Sequence, residues 1–145
     1  MTNEHDLQGS FATTSAIYCD FMQNQRKDSI QEGLIKYQAG QFEQAKEIYL
    51  SIKSDAPDYP HALYLLGILS QDKDEHLNAI DLLERAHQLS PKQAIIPFQL
   101  AISHNANGQI EQAIENYKKA IELNPNYVEA LSNLGNLYKR SGNLS

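Results

Sequence analysis

The sequence predicts an all-α fold in which helix hairpins recur along the chain. Pro57, Pro91 and Pro125 each follow a polar turn, and successive members of this set are 34 residues apart. Between these turns, apolar residues recur every three or four positions, which is the period of an amphipathic helix. The same segments are rich in Ala, Leu, Glu, Gln and Lys, which favour helices. A period of this length indicates a repeat array.

Small residues recur where the two helices of each unit are expected to cross. One position of the first helix is always small: Gly33, Gly67, Ala101 and Gly135. One position of the second helix is always alanine: Ala45, Ala79 and Ala113. Because no large side chain stands at either position, the two backbones can approach closely. We therefore expect Gly67 to lie against Ala79, and Ala101 against Ala113.

Proline and asparagine indicate where some helices begin. Pro97 would remove a hydrogen bond in mid-helix, so the helix that contains it is expected to begin near Ile96. Asn126 followed by Glu129 has the spacing of a capping box at the start of the last helix.

These boundaries divide the chain into two regions. Residues 1–25 are a polar N-terminal segment, in which a short helix is expected at 15–24. Residues 26–145 are the repeat domain. It has three full units at about 26–59, 60–93 and 94–127, and a final half unit at 128–145.

The 34-residue unit resembles the tetratricopeptide repeat. The resemblance rests on "ALSNLGNLYKRSG" and "QIEQAIENYKKAIELNP", and it covers about residues 26–145. The first unit departs most, because Lys36 stands where the family often has an aromatic residue or leucine. The resemblance implies a right-handed superhelical α-solenoid of three full repeats plus one extra helix, with a concave groove between the hairpins.

Composition and charge exclude several classes of function. The net charge of −6 argues against a nucleic-acid surface, which needs clustered cations. No apolar run is long enough to cross a bilayer, and the first residues do not read as a signal peptide, so we expect a cytoplasmic protein. Cys19, the single cysteine, cannot form an internal disulfide.

No constellation of residues for catalysis is visible. The five histidines lack the short spacings that place two metal ligands on one helix face, and no Gly-rich phosphate loop occurs. Cys19 has no candidate base nearby in the sequence except Asp20, so a buried or idle thiol is favoured over a nucleophile. We therefore expect no enzyme activity, no metal and no cofactor in these residues.

In the family that the sequence resembles, first-helix residues line the groove. Carried to the matching positions, this implies a partner-binding set of Ile30, Leu34, Tyr37, Tyr64, Ile68, Phe98, Ile102, Asn105 and Asn136. The set is mostly apolar, with Tyr64 and Phe98 as candidate anchors. The Lys, Arg and Asn residues with which some members hold a chaperone tail's carboxylate are absent from the equivalent positions. Only Asn133 and Asn136 resemble the asparagine ladder of O-GlcNAc transferase.

The sequence leaves several functions open. The first is an interaction scaffold that binds a partner peptide or helix in the groove. The alternative is the substrate-binding repeat region of a larger enzyme, such as a glycosyltransferase, sulfotransferase or methyltransferase; a secretion or pilus assembly factor is compatible, but no residue points to it. Residues 15–23 of the chain itself are a competing occupant of the groove. The apolar stripe of the last helix also suggests self-association.

Overall fold

The computed structural model describes residues 29–142, and within this range all regular structure is helical. The helices are α1, of which 29–38 is described, and α2 Phe42–Leu50, α3 Tyr59–Asp72, α4 His76–Leu89, α5 Ile95–Ala106, α6 Ile110–Leu123 and α7 Val128–Arg140. The chain forms two compact units, Met1–Asp58 and Tyr59–Ser145. The predicted all-α fold is confirmed. The expected N-terminal segment 1–25 and its helix at 15–24 lie outside the described residues.

In the first unit, Gly33 allows α1 and α2 to pack closely. A Cβ atom added at Gly33 would lie 2.8 Å from Cζ of Tyr49, well inside contact distance. The Tyr49 side chain and Ala45 are both buried. Across the turn, the rings of Tyr37 and Phe42 meet edge to face with centroids 5.4 Å apart. The hairpin is therefore held by one aromatic ring against a glycine and by one aromatic pair.

In the second unit, each helix packs against the next one in the sequence, and α3 also contacts α5. Two buried clusters result. The first joins α3, α4 and α5 through Leu63, Ile80, Leu83, Ala86, Ile96 and Leu100. The second joins α5, α6 and α7 through Phe98, Ala101, Ala113, Tyr117, Ala120, Ala130 and Leu137. Because α5 contributes to both clusters, it is the central helix of this unit.

The crossing of α3 and α4 confirms the predicted role of the small residues. A Cβ atom added at Gly67 would lie 2.8 Å from Cγ of Leu83 and 3.6 Å from the carbonyl oxygen of Ala79. Ala79 and Leu83 are fully buried. Ala101 and Ala113 likewise lie in one buried cluster. At the crossing of α3 and α4, the two helices approach so closely that the Leu83 side chain occupies the space above Gly67.

On α7, the equivalent glycine is open. A Cβ atom added at Gly135 would meet nothing within 4 Å. Leu131, one turn earlier, is 47% exposed, whereas Leu63 and Pro97 at the same repeat position are buried. The difference arises because α4 covers α3 and α6 covers α5. Within residues 29–142, no helix covers this face of α7.

The turns inside the hairpins repeat as regularly as the helices. Gly40, Gly108 and Gly142 have φ of +78°, +79° and +73°, and Asp74 at the same repeat position has φ of +58°. Such left-handed residues close a helix by directing the next N–H groups back to its last carbonyls. After Gly108, the N–H of Gln109 donates to the carbonyl of His104 at 2.8 Å. Aspartate is one of the few non-glycine residues that adopt this conformation readily.

Of the two predictions about helix starts, one is confirmed and one is wrong. Helix α5 begins at Ile95, so that Pro97 falls in its first turn as expected. Helix α7 has no capping box, because its N-cap is Tyr127 and no side chain caps it. Instead, Oδ1 of Asn124 accepts a hydrogen bond from the N–H of Asn126 at 3.2 Å. This short asparagine turn replaces the predicted cap.

The two glycines on α3 and α7 give a matched test of the packing. Gly67→Ala should lower the free energy of unfolding by about 1–3 kcal/mol, because the new methyl group would overlap Leu83. Gly135→Ala is the control at the same repeat position. It should raise stability by about 0.5–1 kcal/mol, because alanine loses less backbone entropy in a helix. Urea unfolding followed by circular dichroism measures both, and equal losses at the two positions would contradict the packing.

Candidate partner-binding groove

The predicted groove residues fall into both units of the chain. Ile30, Leu34 and Tyr37 belong to α1 in the first unit, where Ile30 is buried and the other two are half-buried. In the second unit, α3, α5 and α7 carry the rest: Tyr64, Ile68, Phe98, Ile102, Asn105 and Asn136. We call the surface of α3, α5 and α7 that carries these second-unit residues the groove face.

Phe98, one of the two candidate anchors, is a core residue. Its side chain is only 9% exposed and belongs to the cluster of α5, α6 and α7. The ring stacks on Tyr127 with centroids 4.8 Å apart and meets Tyr117 edge to face at 6.0 Å. Tyr127 lies in the turn before α7, so the chain itself covers Phe98. The competing occupant suggested by the sequence, residues 15–23, lies outside the described residues.

Tyr64 and Gln71 connect α3 to α5. Tyr64 is half-buried, and the pKa of its hydroxyl is raised because the effect of burial exceeds the opposing effect of a hydrogen bond with Gln99. The side-chain nitrogen of Gln71 donates to the carbonyl of Gln99 at 2.9 Å and to the Ser103 hydroxyl at 2.7 Å. Both hydrogens of the Gln71 amide are therefore used inside the protein. Ile68, on the same helix, is half-buried and makes this part of the groove face apolar.

A cavity of about 340 Å³ lies between α5 and α7. It brings together three of the predicted residues and four others, and its lining consists of Ile102, Asn105, Tyr117, Asn133, Asn136, Leu137 and Arg140. Leu137 and Tyr117 are buried, whereas Asn136 and Arg140 are exposed. The buried residues form the floor of the cavity and the exposed ones form its rim.

The polar groups of this cavity are only partly satisfied by the protein. Nδ2 of Asn133 makes one long hydrogen bond of 3.5 Å to the Tyr117 hydroxyl. Oδ1 of Asn105 is buried and accepts no hydrogen bond from the described residues. Burial raises the pKa of Tyr117, against the opposing effects of the Asn133 hydrogen bond and the positive charge of Arg140. The cavity thus combines one cation, three amides and one hydroxyl.

Four of the lining residues are outside the predicted set: Tyr117, Asn133, Leu137 and Arg140. Asn133, Leu137 and Arg140 lie on α7, the helix that carries the predicted Asn136, and Asn133 is one of the two asparagines with ladder-like spacing. Tyr117 comes from α6, a second helix of a hairpin, and it reaches the cavity between α5 and α7. A rule that uses first helices alone cannot identify it.

A second cavity, of about 280 Å³, is lined by polar residues of α4 and α6 with Leu100 and His104 of α5. Burial and the nearby charge of Lys119 lower the pKa of His87 in this lining. Nδ1 of His104 lies 2.9 Å from Oε1 of Gln109. In residues 29–142, no three His, Cys, Asp or Glu side chains are placed to share a metal ion. None of the described helices is both long and apolar enough to span a membrane.

Comparison with known proteins gives relatives and solved structures with the same repeats. The chain is 32% identical over 88 residues to the photosystem I assembly protein Ycf3 of Synechococcus sp. strain CC9605, covering 59% of this chain and 51% of that protein. It therefore spans about half the length of this curated relative. The Thermobaculum terrenum O-GlcNAc transferase K341M mutant superposes with a TM-score of 0.71 at 29% identity, covering 77% of this chain and 22% of that one.

The crystal structure of MamA matches more of the chain. It superposes with a TM-score of 0.74 at 24% identity and covers 98% of this chain and 86% of that one, which shows a shared fold. Two family models match as well: residues 30–94 match the model described as tetratricopeptide repeat, and residues 103–142 match the model described as TPR repeat. The repeat period, the helix hairpins and both models agree, and the chain belongs to the tetratricopeptide repeat family.

Proposed function

We propose that the protein is an interaction scaffold that binds a segment of a partner protein along the groove face. The observation that carries this proposal is the cavity between α5 and α7, which is open and lined by apolar and amide side chains. Next to it, Ile68 and Ile102 are half-buried and offer apolar contacts. This combination suits a polypeptide, which presents both apolar side chains and backbone amides.

The chemistry of the groove face favours an extended segment. Asparagine side chains can donate to a backbone carbonyl and accept from a backbone N–H, as neighbouring strands do. Asn105, Asn133 and Asn136 lie around one cavity and provide such groups. Alternate side chains of an extended segment can then contact Ile68 and Ile102. A helix would keep its backbone groups internally bonded and leave these asparagines without partners.

We assign no catalytic role to these residues. The cavity lining contains no Ser, Cys, His, Asp or Glu that would act as a nucleophile or a general base. Its one hydroxyl belongs to Tyr117, whose pKa is raised by burial, so that the hydroxyl stays protonated at neutral pH.

A second candidate function is the repeat region of a larger enzyme. The superposition on the Thermobaculum terrenum O-GlcNAc transferase favours it, since this chain matches 22% of that protein. In that case the groove face would hold a protein substrate for a separate catalytic domain. The coding sequence beyond Ser145 distinguishes the two, because a catalytic domain in the same reading frame would support the enzyme.

Self-association through α7 is a separate proposal. The uncovered face of α7 places the exposed Leu131 and the half-buried Tyr138 beside the open position at Gly135. If two copies of α7 packed antiparallel, Leu131 of one copy would lie over Gly135 of the other. Such a contact is small compared with stable dimers, so we expect a weak, concentration-dependent association.

Site-specific photocrosslinking in the native cell tests the scaffold function. A photoreactive phenylalanine analogue at position 136, on the groove face, should give a discrete crosslinked partner. The same analogue at position 118, exposed on α6, is the control and should not. Ile68→Ser with Ile102→Ser should weaken binding about thirty-fold and reduce the product accordingly, since each removes a contact of roughly 1 kcal/mol. Equal products from positions 136 and 118 would contradict the proposal.

Analytical ultracentrifugation over a range of concentrations tests the α7 contact. The full chain should show a weak dimer that Leu131→Glu converts to a monomer, because a buried charge would be left without a partner. Gln112→Glu adds the same charge on an exposed position of α6 and should leave the dimer unchanged. A wild-type chain that stays monomeric at high concentration would rule out the contact.

A further inference from the structure

We propose that the cavity between α5 and α7 binds the carboxylate side chain of an aspartate or glutamate in the partner segment. This inference rests on the proposed scaffold function and specifies which residue the partner must present.

The charge of the cavity selects an anion. Arg140 is the single cation among its lining residues, and the lining contains neither Asp nor Glu. Among residues 29–142, no carboxylate forms an ion pair with Arg140. Its guanidinium has several N–H donors in a planar arrangement that matches the two oxygens of a carboxylate. The chain as a whole carries a net charge of −6, so an acidic segment finds little electrostatic attraction elsewhere on the protein. Attraction to Arg140 therefore makes binding at this position more selective.

The neutral groups around Arg140 indicate that the carboxylate is part of a polypeptide. The amides of Asn133 and Asn136 and the Tyr117 hydroxyl can donate to the carboxylate oxygens. The exposed amide of Asn136 can also accept through its Oδ1 from a donor. A free carboxylate ion offers no N–H, whereas a peptide backbone beside the acidic side chain supplies one. One residue of the partner can then satisfy both the donors and this acceptor.

The apolar floor indicates a side-chain carboxylate. Ile102 and Leu137 lie in the same lining as the polar groups, and Leu137 is buried. The methylene groups of a glutamate or aspartate would pack on them while the carboxylate reaches Arg140. A C-terminal carboxylate is bonded directly to the backbone and has no such methylene stem. The cavity therefore matches an internal acidic residue better than a chain end.

NMR titration of the full chain with capped single residues tests this assignment. N-acetyl-glutamate N-methylamide should shift the side-chain amide signals of Asn105, Asn133 and Asn136. N-acetyl-glutamine N-methylamide, of the same size but uncharged, should bind about ten-fold more weakly, because charge-assisted hydrogen bonds are lost. Arg140→Gln should weaken binding of the glutamate probe by a similar factor. Lys139→Gln is the matched control, since it removes the neighbouring cation, which does not line the cavity.

Several outcomes would overturn the inference. Equal binding of the glutamate and glutamine probes, or equal effects of Arg140→Gln and Lys139→Gln, would show that no carboxylate is recognised here. Tighter binding of N-acetylglycine, whose carboxylate is terminal, would assign the cavity to a chain end. If position 136 still crosslinks a partner while the glutamate probe does not bind, the scaffold function stands and the carboxylate assignment fails. If the probe binds and no partner crosslinks, the scaffold function fails.

Discussion

The close approach of paired helices at residues without large side chains is the constraint on which the second unit depends. At the crossing of α3 and α4, the Leu83 side chain occupies the space above Gly67, and Ala79 lies behind it. The α5 and α6 pair repeats the arrangement with Ala101 and Ala113, and Tyr117 takes the place of Leu83. Because these contacts fix how each hairpin closes, they also fix which side of α3 and α5 stays free. The groove face is the consequence of this packing.

The free side of the first helices changes in character from α3 to α7. On α3 it carries Tyr64 and Ile68, and the amide nitrogen of Gln71 there donates both of its hydrogens to α5. On α7 it carries Asn133, Asn136 and Arg140, whose polar groups are largely available around the cavity. A ligand of this surface must therefore be apolar at one end and polar at the other. A polypeptide segment meets that requirement more readily than a small apolar molecule.

The fold could be predicted from the sequence because its cause is local and repeated. The period of 34 residues, the small residues at the crossings and Pro97 in a first turn all describe short-range constraints. The site could be predicted only in part, because its details depend on contacts between distant residues. No sequence pattern around Phe98 indicates that Tyr127 covers it. Tyr117 lines the cavity from α6, a second helix, so a prediction based on first helices alone does not include it. The capping box failed at Asn126 for a similar reason, since Asn124 formed a competing turn.

The central claim is that the groove face of the second unit is where a partner segment lies. Hydrogen–deuterium exchange of the full chain, alone and saturated with a purified partner, tests it most directly. Bound partner should slow backbone amide exchange in the C-terminal parts of α5 and α7 and in the turns that follow them. The exchange rates of α4 and α6 should stay unchanged. Protection confined to α4 and α6, with α5 and α7 unaffected, would contradict the account.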